Sequence, residues 1–205
     1  MNGLPIRDRK AERREATRRE IVDAAWQIAR RDGLATVTLR EVASRVGMQS
    51  PSLYSHFGSK NAIYDAMFGQ AWSEYLAVCR AIETPTSTPP RQALLIMVDT
   101  FVQFALADAA RFQLMNQRVV ADFEPSPESY APSILVMTLF QQRLAAIGVA
   151  RQADVDLCVA LIGGLIEAQL ANDPGGDRWV RQLRRAMDMF ADEVGLPEPR
   201  LRRKQ

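Results

Sequence analysis

Apolar residues recur at helical spacing along most of the chain, and polar or proline-rich breaks divide the pattern into segments. Ile21, Ala24, Ala25, Ile28 and Ala29 make one stripe that runs to Gly33, and Thr17 with Glu20 reads as the capping box that starts it. A shorter stripe follows in Leu39, Val42, Ala43 and Val46. Thr38 and Glu41 can cap it, because hydroxyl and carboxylate each satisfy a backbone N–H that the first turn leaves open, and Gly47 permits the left-handed residue that ends a helix. Ser50 is then placed to cap a third helix, with Pro51 at the first position, where no N–H is needed. Only Leu53 and Phe57 in this third helix suit a core. Gln49, Ser50, Ser52, Tyr54, Ser55 and His56 are polar or amphipathic, so the helix must show them to something. Two short helices, a tight turn and a polar second helix form the pattern of a helix-turn-helix that offers its second helix to a DNA major groove.

Beyond it, Gly58-Ser59-Lys60 closes the motif, and Ser59 can cap a long helix over about 60–82. Ile63, Met67, Trp72, Tyr75, Leu76 and Cys79 bury that helix on more than one side. The stretch 84–90 holds three prolines and no apolar anchor and reads as a linker. Helical patterns resume over about 91–108, 109–120, 132–147, 152–172 and 176–194. No strand-length alternation bounded by hairpin signals occurs, so the fold class is all-α: a three-helix DNA-binding unit followed by a helical bundle. The expected division is a basic N-terminal arm over 1–16, the helix-turn-helix over 17–60, an effector-binding and dimerisation bundle over 61–199, and a basic tail over 200–205.

Composition narrows the function. Apolar residues at 47% and charged residues at 24% are ordinary for a globular protein. The net charge of +2 hides an asymmetry: residues 1–60 hold twelve Lys/Arg against seven Asp/Glu, and residues 61–199 hold ten against seventeen. A basic N-terminal third fits phosphates, while the acidic remainder argues against nucleic acid wrapping the whole molecule. The longest apolar run, Leu157 to Ile166, is ten residues, about half of the ~20 that cross a bilayer. No secretory signal is visible, so a cytoplasmic protein without a membrane partner is expected. Cys79 and Cys158 lack metal or disulfide spacing and read as reduced packing residues. His56 is the only histidine, which excludes a multi-histidine metal cluster and any triad based on another histidine. With no Gly-rich phosphate loop either, the chain reads as no enzyme and as needing no cofactor.

From Arg18 to Ala66 the sequence resembles the TetR (tetracycline-repressor-like) family of bacterial transcription regulators. The resemblance rests on Ala29-Arg30-Arg31-Asp32-Gly33, Thr36-Val37-Thr38-Leu39-Arg40-Glu41-Val42-Ala43, Val46-Gly47-Met48 and above all Leu53-Tyr54-Ser55-His56-Phe57-Gly58-Ser59-Lys60. Asn61 departs from it, since the family usually has Glu there, and the fourth helix then lacks its reciprocal cap. The resemblance implies about nine helices per subunit and a homodimer whose N-terminal helices bind an inverted-repeat operator. It also implies a bundle that holds a small effector, whose binding moves the fourth helix and releases the DNA.

Under that reading Gln49, Ser50 and Ser52 reach base edges, as Gln suits adenine and Ser serves donor or acceptor sites. Tyr54, His56 and Lys60 are expected to hold phosphates, Thr38 to cap its helix and touch a phosphate, and Arg40 and Ser55 to complete the DNA-facing set. Trp72, Tyr75, Phe104, Met115, Asn116, Met137, Phe140, Gln141 and Glu167 are the candidate effector pocket. Aromatic and Met residues at helical spacing also simply fill cores, and Glu167 either binds a cationic group or faces solvent. Gly163-Gly164 inside a helix costs about 1 kcal/mol per Gly, which close approach of a second helix would offset. Ile162, Gly163, Ile166, Trp179, Leu183, Met187 and Phe190 are accordingly the candidate dimer interface.

Overall fold

The computed structural model describes residues 8–198, which form nine α-helices and two short 3-10 turns and no strand. Helix α1 (Arg9–Asp32) starts at Arg9 and not at Thr17. The Asp8 carboxylate accepts from the N–H groups of Lys10 and Ala11 at 3.0 and 3.1 Å, and this cap wins because the intervening Arg, Lys, Ala and Glu are strong helix formers. The Thr17 hydroxyl instead donates to the Arg13 carbonyl inside the helix. Much of the expected arm is therefore helical; residues 1–7 and the basic tail lie outside the described residues.

Helix α2 (Leu39–Arg45) begins as expected, with the Glu41 N–H donating to the Thr38 hydroxyl at 3.2 Å. The Glu41 carboxylate turns to Arg31 at 2.6 Å. Gly47 ends the helix at φ +68°, which places the Met48 N–H on the Ala43 carbonyl at 2.8 Å. Helix α3 (Ser50–Tyr54) has Gln49 at its cap position with no side-chain cap bond, so Ser50 lies within the helix and is not its cap. Helix α4 (Lys60–Ala81) is capped by Ser59, whose hydroxyl accepts from the Ala62 N–H at 3.1 Å.

The remaining helices are α5 (Pro90–Leu106), α6 (Ala109–Asn116), α7 (Pro127–Ala146), α8 (Gln152–Asn172) and α9 (Leu183–Glu193). Helix α7 starts at Pro127, ahead of the expected start at Pro132. Ser126 caps it, accepting from the Ser129 N–H at 3.2 Å, and Pro132, inside the helix, removes the one ladder bond that its N–H would have made. The last helix starts later than its apolar stripe suggests. Gln169, buried on α8, accepts from the N–H groups of Trp179 and Val180 at 2.9 and 3.3 Å and holds the connection as a turn.

The chain forms two compact units, and the division falls inside α4 and not at its start. The first runs to Ala71 and takes in Gln113–Tyr130. Its core includes Ile21, Trp26, Ile28, Val42, Leu53, Phe57, Ile63, Tyr64 and Met67, and the Tyr64 hydroxyl donates to the Leu34 carbonyl at 2.5 Å. Asp65 accepts from the Ser126 N–H at 2.7 Å and from the Ser126 and Ser129 hydroxyls, both at 2.9 Å. Asn61 donates to the carbonyl of Asp122, which stands at φ +57°. The Phe123 ring lies 5.7 Å from Tyr64 and 6.3 Å from Phe68.

The second unit comprises Trp72–Phe112 and the chain from Ala131. Leu94, Val98, Val102, Leu144, Cys158, Ile162, Ile166, Leu183, Met187 and Phe190 are buried together in its core. This corrects the dimer-interface expectation for Ile162, Ile166, Leu183, Met187 and Phe190. An apolar stripe does not reveal whether it meets its own chain or a partner, and here it meets α5 and its own neighbours.

Candidate nucleic-acid interface

The exposed polar set lies in the first unit. Thr38 and Arg40 stand at the start of α2, Gln49, Ser52, Tyr54 and Ser55 on and around α3, and all six are exposed. Ser50, His56 and Lys60 are half-buried. Within α3 only Leu53 is buried, and Tyr54 is 54% exposed, a large ring left outside a core that had room for Phe57. The Lys60 ammonium lies 5.5 Å above the Tyr64 ring, at the N-terminus of α4. His56 Nδ1 is enclosed without a hydrogen-bond partner. Every residue expected to face DNA is thus gathered in one compact unit, on two short helices, the turn that follows them and the first residue of α4.

What sequence reasoning missed is how α1 holds that surface. Arg31 bridges Asp32 and Glu41, and the Asp32 carboxyl is held below its usual range chiefly by its hydrogen bond to Arg31. Arg45 donates to the Gln27 side chain at 3.0 Å, which also ties α2 to α1. Arg14 donates to the Ser55 carbonyl at 3.2 Å. Arg18 donates to the His56 carbonyl, and its guanidinium lies 4.0 Å from the centre of the Phe57 ring. The basic residues up to position 16 were expected as an arm, and nothing in the spacing of Arg14 and Arg18 revealed which carbonyls they would meet.

The expected effector residues are divided between the two units. Met115 and Asn116 belong to the first unit, and Asn116 is exposed. Met137 and Glu167 are exposed in the second, where Glu167 faces solvent. Trp72, Tyr75 and Phe104 do come together: Tyr75 lies 6.4 Å from Trp72, 5.0 Å from Phe101 and 4.8 Å from Phe104. Arg111 covers Phe104 at 3.6 Å and donates to its carbonyl at 2.8 Å. Phe140 packs at the margin of the core, and Gln141 bonds Gln152 at 3.3 Å. A groove of about 860 Å³ between α5 and α9 is lined by Leu95, Ile96, Asp99, Arg184, Met187 and Asp188, among others, and by none of the expected effector residues.

Cys79 and Cys158 are both buried free thiols. No single described helix is long and apolar enough to cross a membrane.

Residues 21–67 match the description of bacterial regulatory proteins of the tetR family. The tetracycline repressor protein class A from transposon 1721 of Escherichia coli is 27% identical over 189 residues, covering 85% of this chain and 81% of that protein. Among solved structures, the regulatory protein SCO4313 superposes with a TM-score of 0.71 at 19% identity, covering 91% of this chain and 98% of its own. BioQ with its double-stranded DNA operator superposes with a TM-score of 0.58 at 19% identity, covering 86% of this chain and 96% of its own.

Proposed function

Because the chain belongs to the tetR family of bacterial regulatory proteins, a family of DNA-binding transcription regulators, we propose that it binds an inverted-repeat operator as a homodimer and represses transcription until a small-molecule effector releases it. One observation carries the reading: α3 buries Leu53 alone and exposes Gln49, Ser52, Tyr54 and Ser55 around a fixed backbone. Gln49, Ser50 and Ser52 then read base edges, and Tyr54, Ser55, His56, Lys60, Thr38 and Arg40 hold the sugar-phosphate backbone and fix register. The chain acts in the cytoplasm, by binding and without catalysing a reaction.

Selecting binding sites from random-sequence duplexes tests this. An inverted repeat should emerge, and Lys60→Ala should weaken binding on all sequences while reducing the salt slope by about 0.9 per lost phosphate contact. Tyr54→Ala should also weaken it. Unchanged affinity in both variants would refute the phosphate assignments.

With its apolar stripe committed to its own core, dimerisation falls to exposed faces: Leu157, Ala160 and Gly164 on α8, with Met189 on α9. An added Cβ at Gly164 meets nothing within 4 Å in the single chain, leaving room for a second backbone. Light scattering at micromolar concentration reads this directly, and a monomer would refute it. The effector contacts Trp72, Tyr75, Phe104 and Phe140, whose rings suit an apolar or aromatic molecule.

A further inference from the structure

Helix α3 is five residues long, and a helix of that length has no cooperative stability of its own. It also ends without a glycine. Ser55 closes it in a right-handed conformation, and the N–H groups of His56 and Phe57 turn back on the Leu53 carbonyl at 2.9 and 3.0 Å. Beyond Tyr54, the carbonyls of Ser55 and His56 are taken by guanidinium groups from α1. Positive charge at a helix C-terminus is the favourable sign for the helix dipole, and a guanidinium can donate to carbonyls that a C-terminal turn leaves open. Arg18 is committed twice, since its guanidinium also lies over the buried ring of Phe57, the residue that anchors the end of the turn.

We propose that Arg14 and Arg18 are positioning residues for base readout: from α1 they fix the tilt and register of α3, and so set sequence discrimination without touching DNA. The inference rests on the DNA-binding reading and adds residues that no helix-turn-helix pattern marks. Base-edge hydrogen bonds from Gln49, Ser50 and Ser52 demand closely fixed geometry, whereas a long, flexible lysine reaches a phosphate from many backbone positions. Loosening the C-terminal end of α3 therefore removes specificity before it removes general affinity.

The test compares Arg18→Gln and Arg14→Gln with Arg19→Gln, an equal loss of charge at an exposed neighbour on the same helix. Each full-length variant is titrated at several salt concentrations with the duplex selected by the wild-type protein and with a scrambled duplex of equal length. Arg18→Gln should lose about 10-fold or more in affinity for the selected duplex, and Arg14→Gln about 2–3-fold, with scrambled-duplex affinity and salt slope matching Arg19→Gln. A slope reduced by about 0.9, with both affinities falling in parallel, would make Arg18 a direct phosphate contact and overturn the proposal. An unchanged ratio of the two affinities would overturn it as well.

Amide hydrogen exchange in the free protein gives a readout independent of DNA. His56 and Phe57 should exchange faster in Arg18→Gln while Val42 and Val46 of the preceding helix and turn do not change. Unaltered exchange there, or a rise across α1 and α4 alike in both variants, would refute the clamp. Failure of the wild-type protein to select any duplex would refute the DNA-binding reading, and the exchange result would still decide whether the clamp exists.

Discussion

Replacing Tyr64 by Phe removes one oxygen and leaves the rest of the side chain in place. That oxygen donates to the Leu34 carbonyl at 2.5 Å, and both residues are buried, so no water stands ready to replace the lost donor. A buried carbonyl left without its partner costs about 1–3 kcal/mol, and the ring contacts with Phe123 and Lys60 persist in the variant. The expected loss is therefore about 1–2 kcal/mol, or roughly 2–8 °C in unfolding temperature for a chain of this size. Urea denaturation followed by circular dichroism measures it, with Tyr64→Ala as reference at about 3–5 kcal/mol because the ring goes too. The phenol adds a pH signature. Burial raises the Tyr64 phenol above its ordinary value, so its contribution is complete below about pH 10 and is lost as the pH climbs toward the raised folded-state value. Tyr75 is raised by burial as well and remains in both proteins, so the difference between them isolates Tyr64. Equal stability of Tyr64→Phe and wild type at pH 7, or an identical alkaline limb, would refute the reasoning.

Two glycines should answer oppositely to alanine. At Gly69 a Cβ would stand 3.1–3.3 Å from the Oγ, Cβ and Cα atoms of Ser129, so Gly69→Ala should push the first turn of α7 away from Asp65 and lower stability despite better helix propensity, as a shift in urea midpoint. At Gly164 the single chain has open space, so alanine should stabilise the subunit by up to about 1 kcal/mol while weakening the dimer, read by sedimentation at falling concentration; a stabilised subunit with unchanged dimer affinity would remove Gly164 from the interface. Burial pushes the Cys158 thiol up to about 12 and raises that of Cys79, so neither should react with iodoacetamide at pH 8 until the protein is unfolded, as mass spectrometry would show.

Local signals were legible where they act through neighbouring residues. The Thr38 and Ser59 caps and the Gly47 stop each work within a few positions, and each forms as their spacing predicts. The start of α1 was misread because Thr17 and Glu20 satisfy the same local rule, while Asp8 outcompetes them with a continuous run of helix formers behind it. Pro132 misled in the opposite sense: a proline marks a helix start only if nothing upstream caps, and Ser126 does. Long-range pairings left no trace in spacing. Arg14 and Arg18 reach carbonyls about forty positions away, and Leu183, Met187 and Phe190 have an amphipathic pattern equally suited to a partner or to their own core.

The segment Gln113–Tyr130 has a consequence for cutting the chain. A fragment ending after α4 would keep every residue that matches the family description, yet lose the groups that answer Asp65 and the Phe123 ring that packs on Tyr64 and Phe68. It would bare an unpaired carboxylate beside two stripped aromatic faces. Such a fragment should be sticky and poorly soluble, and a limited protease that nicks within 113–130 should disarm DNA binding from a distance in sequence. The reading head is contiguous in space and interrupted along the chain, so it cannot be excised as a linear piece.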